Sequence, residues 1–176
     1  MSTHHDGGPF ISLGVAVLTV SDSRTEANDT SGDLLRERAE SAGHRVVERA
    51  ICPDDIYQLR AVFSRWIAAP EVQVVISTGG TGITGRDSTP EAVMPLLDKA
   101  VDGFGELFRR LSFDEIGAST IQSRAVAGLA NGTLIFCLPG STGACRTAWD
   151  GILGAQLDRR TRPCNFAQLI ARFDER

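Results

Sequence analysis

Residues 74–94 read VVISTGGTGITGRDSTPEAVM. A β-branched apolar run flows into four closely spaced glycines, then an acid, then Thr89, Pro90 and Glu91, which suit the N-cap, first helical position and first turn of a helix. Strand, tight turn and helix in this order are the repeating piece of an α/β protein. Gly79, Gly80, Gly82 and Gly85 lack a Cβ and reach positive φ at little cost, so the turn can aim several backbone N–H groups at one point. Such a concavity attracts anions. Asp87 puts a carboxylate beside it, and a divalent cation shared between carboxylate and substrate phosphate resolves the apparent repulsion. The expected chemistry is a metal-assisted phosphate site.

Two glycine motifs come close to this stretch without fitting it. A P-loop needs Lys and then Ser or Thr after its last glycine, whereas Arg86 and Asp87 follow Gly85. The spacing Gly80, Gly82, Gly85 matches GxGxxG, but a dinucleotide fingerprint belongs after the first strand of its unit, with an acid about 20 residues on along the next strand. The segment that follows here is helical. A plain glycine-rich connection is the remaining alternative, and the acid and the TPE helix start argue against it.

Upstream, 11–20 (ISLGVAVLTV) is a nearly continuous apolar run, as expected of a strand covered on both faces. Thr30 or Ser31 can cap a helix that Gly43 stops, 44–51 reads as a second strand, and Asp54 or Asp55 can cap a helix whose Leu59, Val62, Phe63, Trp66 and Ile67 share one face. With 72–77 as the third strand, strand and helix alternate and predict a parallel sheet. Downstream, Phe104, Leu107, Phe108 and Leu111 recur at helical spacing, and a short helix is expected near 119–123. The runs 125–130 and 133–138 flank Asn131-Gly132, the preferred pair for a type I′ hairpin turn. Leu138 then leads through PGSTG into a helix carrying Ala144, Ala148, Trp149, Ile152 and Leu153. The predicted architecture is three-layer α/β/α, with a mostly parallel sheet and one antiparallel hairpin strand. Ligands of such sheets sit beyond the carboxyl ends of the strands.

With 176 residues, 42% of them hydrophobic, and no apolar run long enough to cross a bilayer, the chain predicts a tail over 1–10 and a single domain over 11–176. Cys52, Cys137, Cys145 and Cys164 show no CxxC spacing, and MSTHHDGGPF lacks the basic and apolar parts of a signal peptide, so the expected compartment is the cytoplasm. His4 and His5 are read as part of the polar tail. A net charge of −4 argues against nucleic acid as a partner.

Asp22, Asp54, Asp55 and Asp87 all follow strands, and two of them could share a metal at one end of the sheet. Each also has an ordinary reading as a cap or turn residue. Glu106, taken alone, reads as a solvent-facing helix residue. Ser141 and Thr142 are hydroxyl donors or plain caps. No Ser, His and Asp set suggests a hydrolase.

Three segments carry a resemblance. STGGTGITGRDSTPEAV (77–93), DGFGELFRRLSFDEIG (102–117) and LPGSTGACRTAWDGILGAQLDRRTRPCNF (138–166) resemble the molybdenum cofactor biosynthesis family that includes molybdopterin adenylyltransferase (MogA) and protein B (MoaB). The resemblance implies a molybdopterin site at the strand ends, homotrimers or dimers of trimers, and, in the adenylyltransferase branch, Mg²⁺ and ATP-dependent adenylylation of molybdopterin. It places Asp54 and Asp87 on the two acidic positions linked to activity, as Mg²⁺ ligands. Gly79, Gly80, Thr81 and Gly82 would cradle phosphate, Ser88 and Thr89 would extend the donor set, and Gly140 and Ser141 would form the opposite wall. Asp22 and Glu106 match further family positions. The segment 138–166 is closer to protein B, which brings in the alternative of a non-catalytic molybdopterin-binding or carrier protein. The Arg-rich, Pro-broken segment 157–166 reads as an oligomerisation arm.

Overall fold

The structure, a computed structural model, describes residues 9–173 and residue 175. Most of the expected tail lies outside the described residues. Phe10 does not belong to a tail, because its ring centroid lies 5.2 Å from that of His44 and the Arg160 guanidinium sits 5.1 Å from it.

In chain order the main elements are β1 (Gly14–Val20), α1 (Thr30–Ser41), β2 (Arg45–Cys52), α2 (Ile56–Ile67), β3 (Val74–Thr78), α3 (Thr89–Val93), β4 (Lys99–Ala100), α4 (Asp102–Ile116), β5 (Val126–Ala130), β6 (Thr133–Leu138) and α5 (Thr142–Ala148). A π turn (Trp149–Leu153) carries α5 into α6 (Gly154–Gln156), and α7 (Phe166–Leu169) follows. The sheet order is β2-β1-β3-β6-β5-β4. β2, β1, β3 and β6 run parallel, while β5 pairs antiparallel with β6 and with β4. Asn131 (φ 47°) and Gly132 (φ 79°) make the β5–β6 turn, both in the left-handed region that a type I′ turn requires.

Three layers follow from side-chain alternation. Val15, Val17, Val74, Ile76, Leu134 and Phe136 point to one face, where Leu35 of α1, Phe104 and Phe108 of α4, and Cys145 and Ala148 of α5 cover them. Ala16, Leu18, Val75, Ile135 and Cys137 point to the other, against Leu59, Phe63 and Trp66 of α2 and Val93 of α3. Burial on both faces is why these strands read as unbroken apolar runs.

Several local expectations are corrected. β1 starts at Gly14 instead of residue 11, because pairing with β2 begins at Gly14–Arg45 and leaves Ile11 exposed. Asp29, not Thr30 or Ser31, caps α1 by accepting from the Gly32 N–H at 3.0 Å. Asp55, not Asp54, caps α2 through the N–H groups of Tyr57 and Gln58. The short helix expected near 119–123 is a 3₁₀ turn, Gly117–Gln122. The two-residue β4 was not anticipated, being too short for any periodicity. The segment 157–166 is no projecting arm: Leu157 belongs to the core, and Asn165 is buried, donating to the Thr161 carbonyl at 2.8 Å and capping α7 through the Gln168 N–H.

All four cysteines are free thiols, and Cys164 alone is exposed. Burial pushes the Cys137 thiol up to about 12 and the Cys145 thiol up to about 11, and raises that of Cys52. Ellman's reagent at pH 8 is therefore expected to titrate one thiol rapidly in the native protein and four after denaturation. Two fast native thiols would contradict this packing.

Candidate functional site

The strand order reverses between β1 and β3, since the chain steps outward to β2 on one side and toward β6 on the other. Strand ends that flank such a reversal leave a crevice open. The glycine-rich turn enters it directly from β3. Gly79 (φ 105°) and Gly80 (φ 68°) take left-handed backbone. A Cβ at Gly79 would stand 2.2 Å from the Val20 carbonyl oxygen, and one at Gly80 2.3 Å from Thr89 Oγ1 and 2.7 Å from Asp54 Oδ2. Conformation and space both demand glycine at these two positions. Gly82 and Gly85 do not adopt positive φ, contrary to expectation. Gly82 is needed for room, because a Cβ there would lie 2.6 Å from Asp87 Oδ2. Gly85 has open space around it at the exposed tip of the loop.

Thr89 is not the cap of α3. Ser88 holds that position without a side-chain cap bond, and the buried Thr89 hydroxyl donates instead to the Gly79 carbonyl at 2.9 Å. With only five residues, α3 has little dipole to offer a ligand. Beside it, Gly80 and Thr81 of the turn line a cleft of about 270 Å³ together with Ser21, Arg24, Ser31, Asp87 and Gly140.

Asp22, Asp54 and Asp87 are linked through the loops around this turn, and of the three Asp87 alone lines the cleft. Asp54, on the loop after β2, accepts from the Ser88 N–H at 3.0 Å and from the Ser88 hydroxyl, which ties it to the residue next to Asp87. Asp87 folds back over its own loop and accepts from the Thr84 N–H at 2.8 Å and the Thr84 hydroxyl at 2.6 Å. The hydroxyl bond is the main reason its carboxyl titrates below the ordinary carboxylate range; burial opposes the shift, and the Thr84 and Gly82 N–H groups reinforce it. Asp22 accepts from the Asp54 N–H at 3.1 Å and forms a two-pronged pair with Arg86, through Nε at 3.0 Å and a terminal nitrogen at 2.6 Å. Hydrogen bonding from Arg86, followed by the Asp54 N–H, holds Asp22 ionised.

Across the cleft, Gly140 packs against Gly79, and Ser31 Oγ donates to the Gly140 carbonyl at 3.0 Å. Ser141 caps α5, accepting from the Ala144 N–H at 3.1 Å, and borders a second cavity of about 280 Å³ floored by Phe108, Ile116 and Ala144. Thr81 and Gly82 line this cavity too, so the turn is shared by two adjoining spaces. Glu106 is elsewhere. It is exposed on α4 and lines a separate cavity with Met94, Arg109 and Ile121.

Two further residues bear on the site. Asp29, 1% exposed, lines the cleft and joins Thr19 Oγ1 (2.6 Å), the Gly32 N–H and Arg49 (2.8 Å), while Arg49 also reaches Asp33 at 2.6 Å. Asp29 stands one residue before the Thr and Ser read as caps, and it is itself a good cap type, so the sequence held a usable signal. Arg124 donates to the carbonyl of Gly82 through Nε at 2.7 Å and to that of Asp87 at 3.0 Å, and it pairs with Glu91. Its partners lie 33 to 42 residues away in sequence, beyond the reach of any local pattern.

Residues 16–159 match the family model described as a probable molybdopterin binding domain. Molybdenum cofactor biosynthesis protein B of Escherichia coli K12 is 61% identical over 157 residues, covering 89% of this chain and 92% of that protein. A crystal structure of a molybdenum cofactor biosynthesis protein B superposes with a TM-score of 0.81 at 42% identity, over 84% of this chain and 92% of the other. The Mog protein of Mycobacterium ulcerans, a molybdopterin biosynthesis protein, superposes with a TM-score of 0.74 at 28% identity, over 81% and 93%. With its fold and most of its length in common with these proteins, the chain belongs to the MoaB/MogA family of molybdenum cofactor biosynthesis proteins.

Proposed function

We propose that the cleft binds molybdopterin through its terminal phosphate and, with Mg²⁺ and ATP, adenylylates it. The observation that carries this reading is that Asp54 and Asp87, 33 residues apart in sequence, both accept hydrogen bonds from the one loop that follows β3, at Ser88 and at Thr84. In this step a terminal phosphate oxygen of molybdopterin forms a bond to the α-phosphorus of ATP, the bond to the β-phosphate breaks, and pyrophosphate leaves. The nucleophile is already ionised at neutral pH, so alignment and charge neutralisation can supply the catalysis, in keeping with a cleft that contains no imidazole.

The acids suit Mg²⁺ in kind. Mg²⁺ takes one or two carboxylates and completes its shell with water and substrate phosphate. Asp54 Oδ2 and the Asp87 carboxylate, both facing the turn, would hold it, and its charge would stabilise the departing pyrophosphate. Gly80 and Thr81 would bind the phosphate through their amides, and Gly140 would close the far side.

A second reading, a non-catalytic molybdopterin binder or carrier, is favoured by one observation. Ser88 and Thr84 give both acids a purely internal role in shaping the turn. Purified protein with molybdopterin, ATP and Mg²⁺ separates the two. Adenylyl transfer predicts adenylylated pterin and pyrophosphate, with a loss of about 100-fold or more in Asp87→Ala. The carrier reading predicts bound pterin and no product. Wild-type protein that neither binds molybdopterin nor forms product would end both. Trimeric assembly, implied by the family, is part of the proposal, and a monomer by light scattering would contradict it.

A further inference from the structure

Four successive carbonyls of the turn are held by two residues. Thr89 takes the Gly79 carbonyl on its hydroxyl at 2.9 Å and the Gly80 carbonyl on its N–H at 3.0 Å. Arg124 takes the Thr81 carbonyl on its N–H at 3.0 Å and the Gly82 carbonyl on Nε at 2.7 Å. A second guanidinium nitrogen of Arg124 reaches the Asp87 carbonyl at 3.0 Å, so one side chain spans both ends of the 82–87 loop. In a planar trans peptide, each carbonyl points opposite to the N–H of the next residue. Fixing the carbonyls of 79 to 82 on one side therefore fixes the N–H groups of 80 to 83 on the other. The pattern is visible at Gly82, whose N–H reaches the Asp87 carboxylate, and Gly80 and Thr81 line the cleft.

We propose that Arg124 is a positioning residue for phosphate binding: its guanidinium holds the carbonyls of Gly82 and Asp87 and so fixes the amides of Ile83 and Ser88, the latter the one that holds Asp54, closing the loop on which Thr89 sets the amides of Gly80 and Thr81. Glu91 orients it, gripping two guanidinium nitrogens and leaving Nε and the remaining contact for the loop. Arg124 itself does not line the cleft, so it acts through the backbone and not by touching the ligand. The proposal rests on the phosphate-binding half of the function proposed above and is independent of whether adenylyl transfer occurs.

The test compares wild type, Arg124→Ala and Arg124→Lys by calorimetric titration with molybdopterin and, separately, with inorganic phosphate. Arg124→Ala is expected to weaken both ligands by roughly 10 to 100-fold, as loss of alignment does. Millimolar guanidinium, supplied from solution, should restore much of the affinity, whereas methylammonium should not, since only a planar fork spans two carbonyls. Arg124→Lys should resemble the alanine variant, and amide exchange at Ile83 and Ser88 should quicken in both. Unchanged affinity in a folded Arg124→Ala protein overturns the proposal, as does a loss that guanidinium does not repair. If wild type binds phosphate in an Arg124-dependent way but not molybdopterin, the function proposed above fails and the positioning role stands.

Discussion

Gly79→Ala is expected to be among the most damaging single methyl additions in this chain. The backbone there sits at φ 105°, and the new Cβ would stand 2.2 Å from the Val20 carbonyl oxygen, which belongs to the end of a buried central strand. Neither problem can be relieved by a side-chain rotation. Left-handed strain and a clash with backbone together cost about 3 kcal/mol or more. For a domain of this size that corresponds to a fall in melting temperature on the order of 10 °C. Any relief requires β1 and β3 to part at the cleft, so ligand binding should fail even in the folded fraction. Gly85→Ala is the control, because a Cβ there meets nothing and the residue does not use positive φ, and it should melt within about a degree of wild type. Calorimetric melting of the two variants checks the pair, and equal melting temperatures would contradict the described turn.

The second large effect concerns Asp29. Its carboxylate, 1% exposed, takes hydrogen bonds from Thr19, the Gly32 N–H and Arg49, so Asp29→Ala removes the α1 cap and leaves a guanidinium that is 19% exposed without its deepest partner. The expected destabilisation is about 2–4 kcal/mol, toward the lower end because Arg49 keeps Asp33 and some water. Burial tends to raise the Asp29 pKa, but the bonds from Arg49, Thr19 and the Gly32 amide outweigh it and hold the group below its ordinary 3.8. A carboxyl depressed in the folded state contributes stability that is present above the unfolded pKa and lost as pH falls through the folded one. Wild type should thus lose stability as pH falls below about 4, and Asp29→Asn, which keeps the cap but not the charge, should show a flatter acid limb. Urea midpoints between pH 7 and pH 3 measure this directly, and parallel curves for the two proteins would remove Asp29 from the acid response.

What the sequence made legible was whatever local chemistry decides. Val15 and Val17 face one layer and Ala16 and Leu18 the other, so an unbroken apolar run correctly announced a strand with two covered faces. Asn131-Gly132 announced its own turn, and GRDSTPE announced an acid beside a helix start. The misreadings come from competition between equivalent chemistries. Asp29, Thr30 and Ser31 are all competent caps, and only the position of Arg49 on β2 selects Asp29 for that role. Thr89 has the right chemistry for a cap, but a buried carbonyl within reach claims its hydroxyl first. Glu106 carried no local signal beyond its match to the family, and α4 places it away from the other acids. Arg124 was silent, because its importance comes from carbonyls that only the closed sheet brings to it.

The exposed loop apex has a further consequence. Ile83 stands 70% exposed and Gly85 has empty space above it, yet the frame beneath them is fastened by Thr89 and Arg124. Novel groups grafted at these two sites would meet little of the folded chain, so the apex can vary while the anchoring machinery beneath it stays intact.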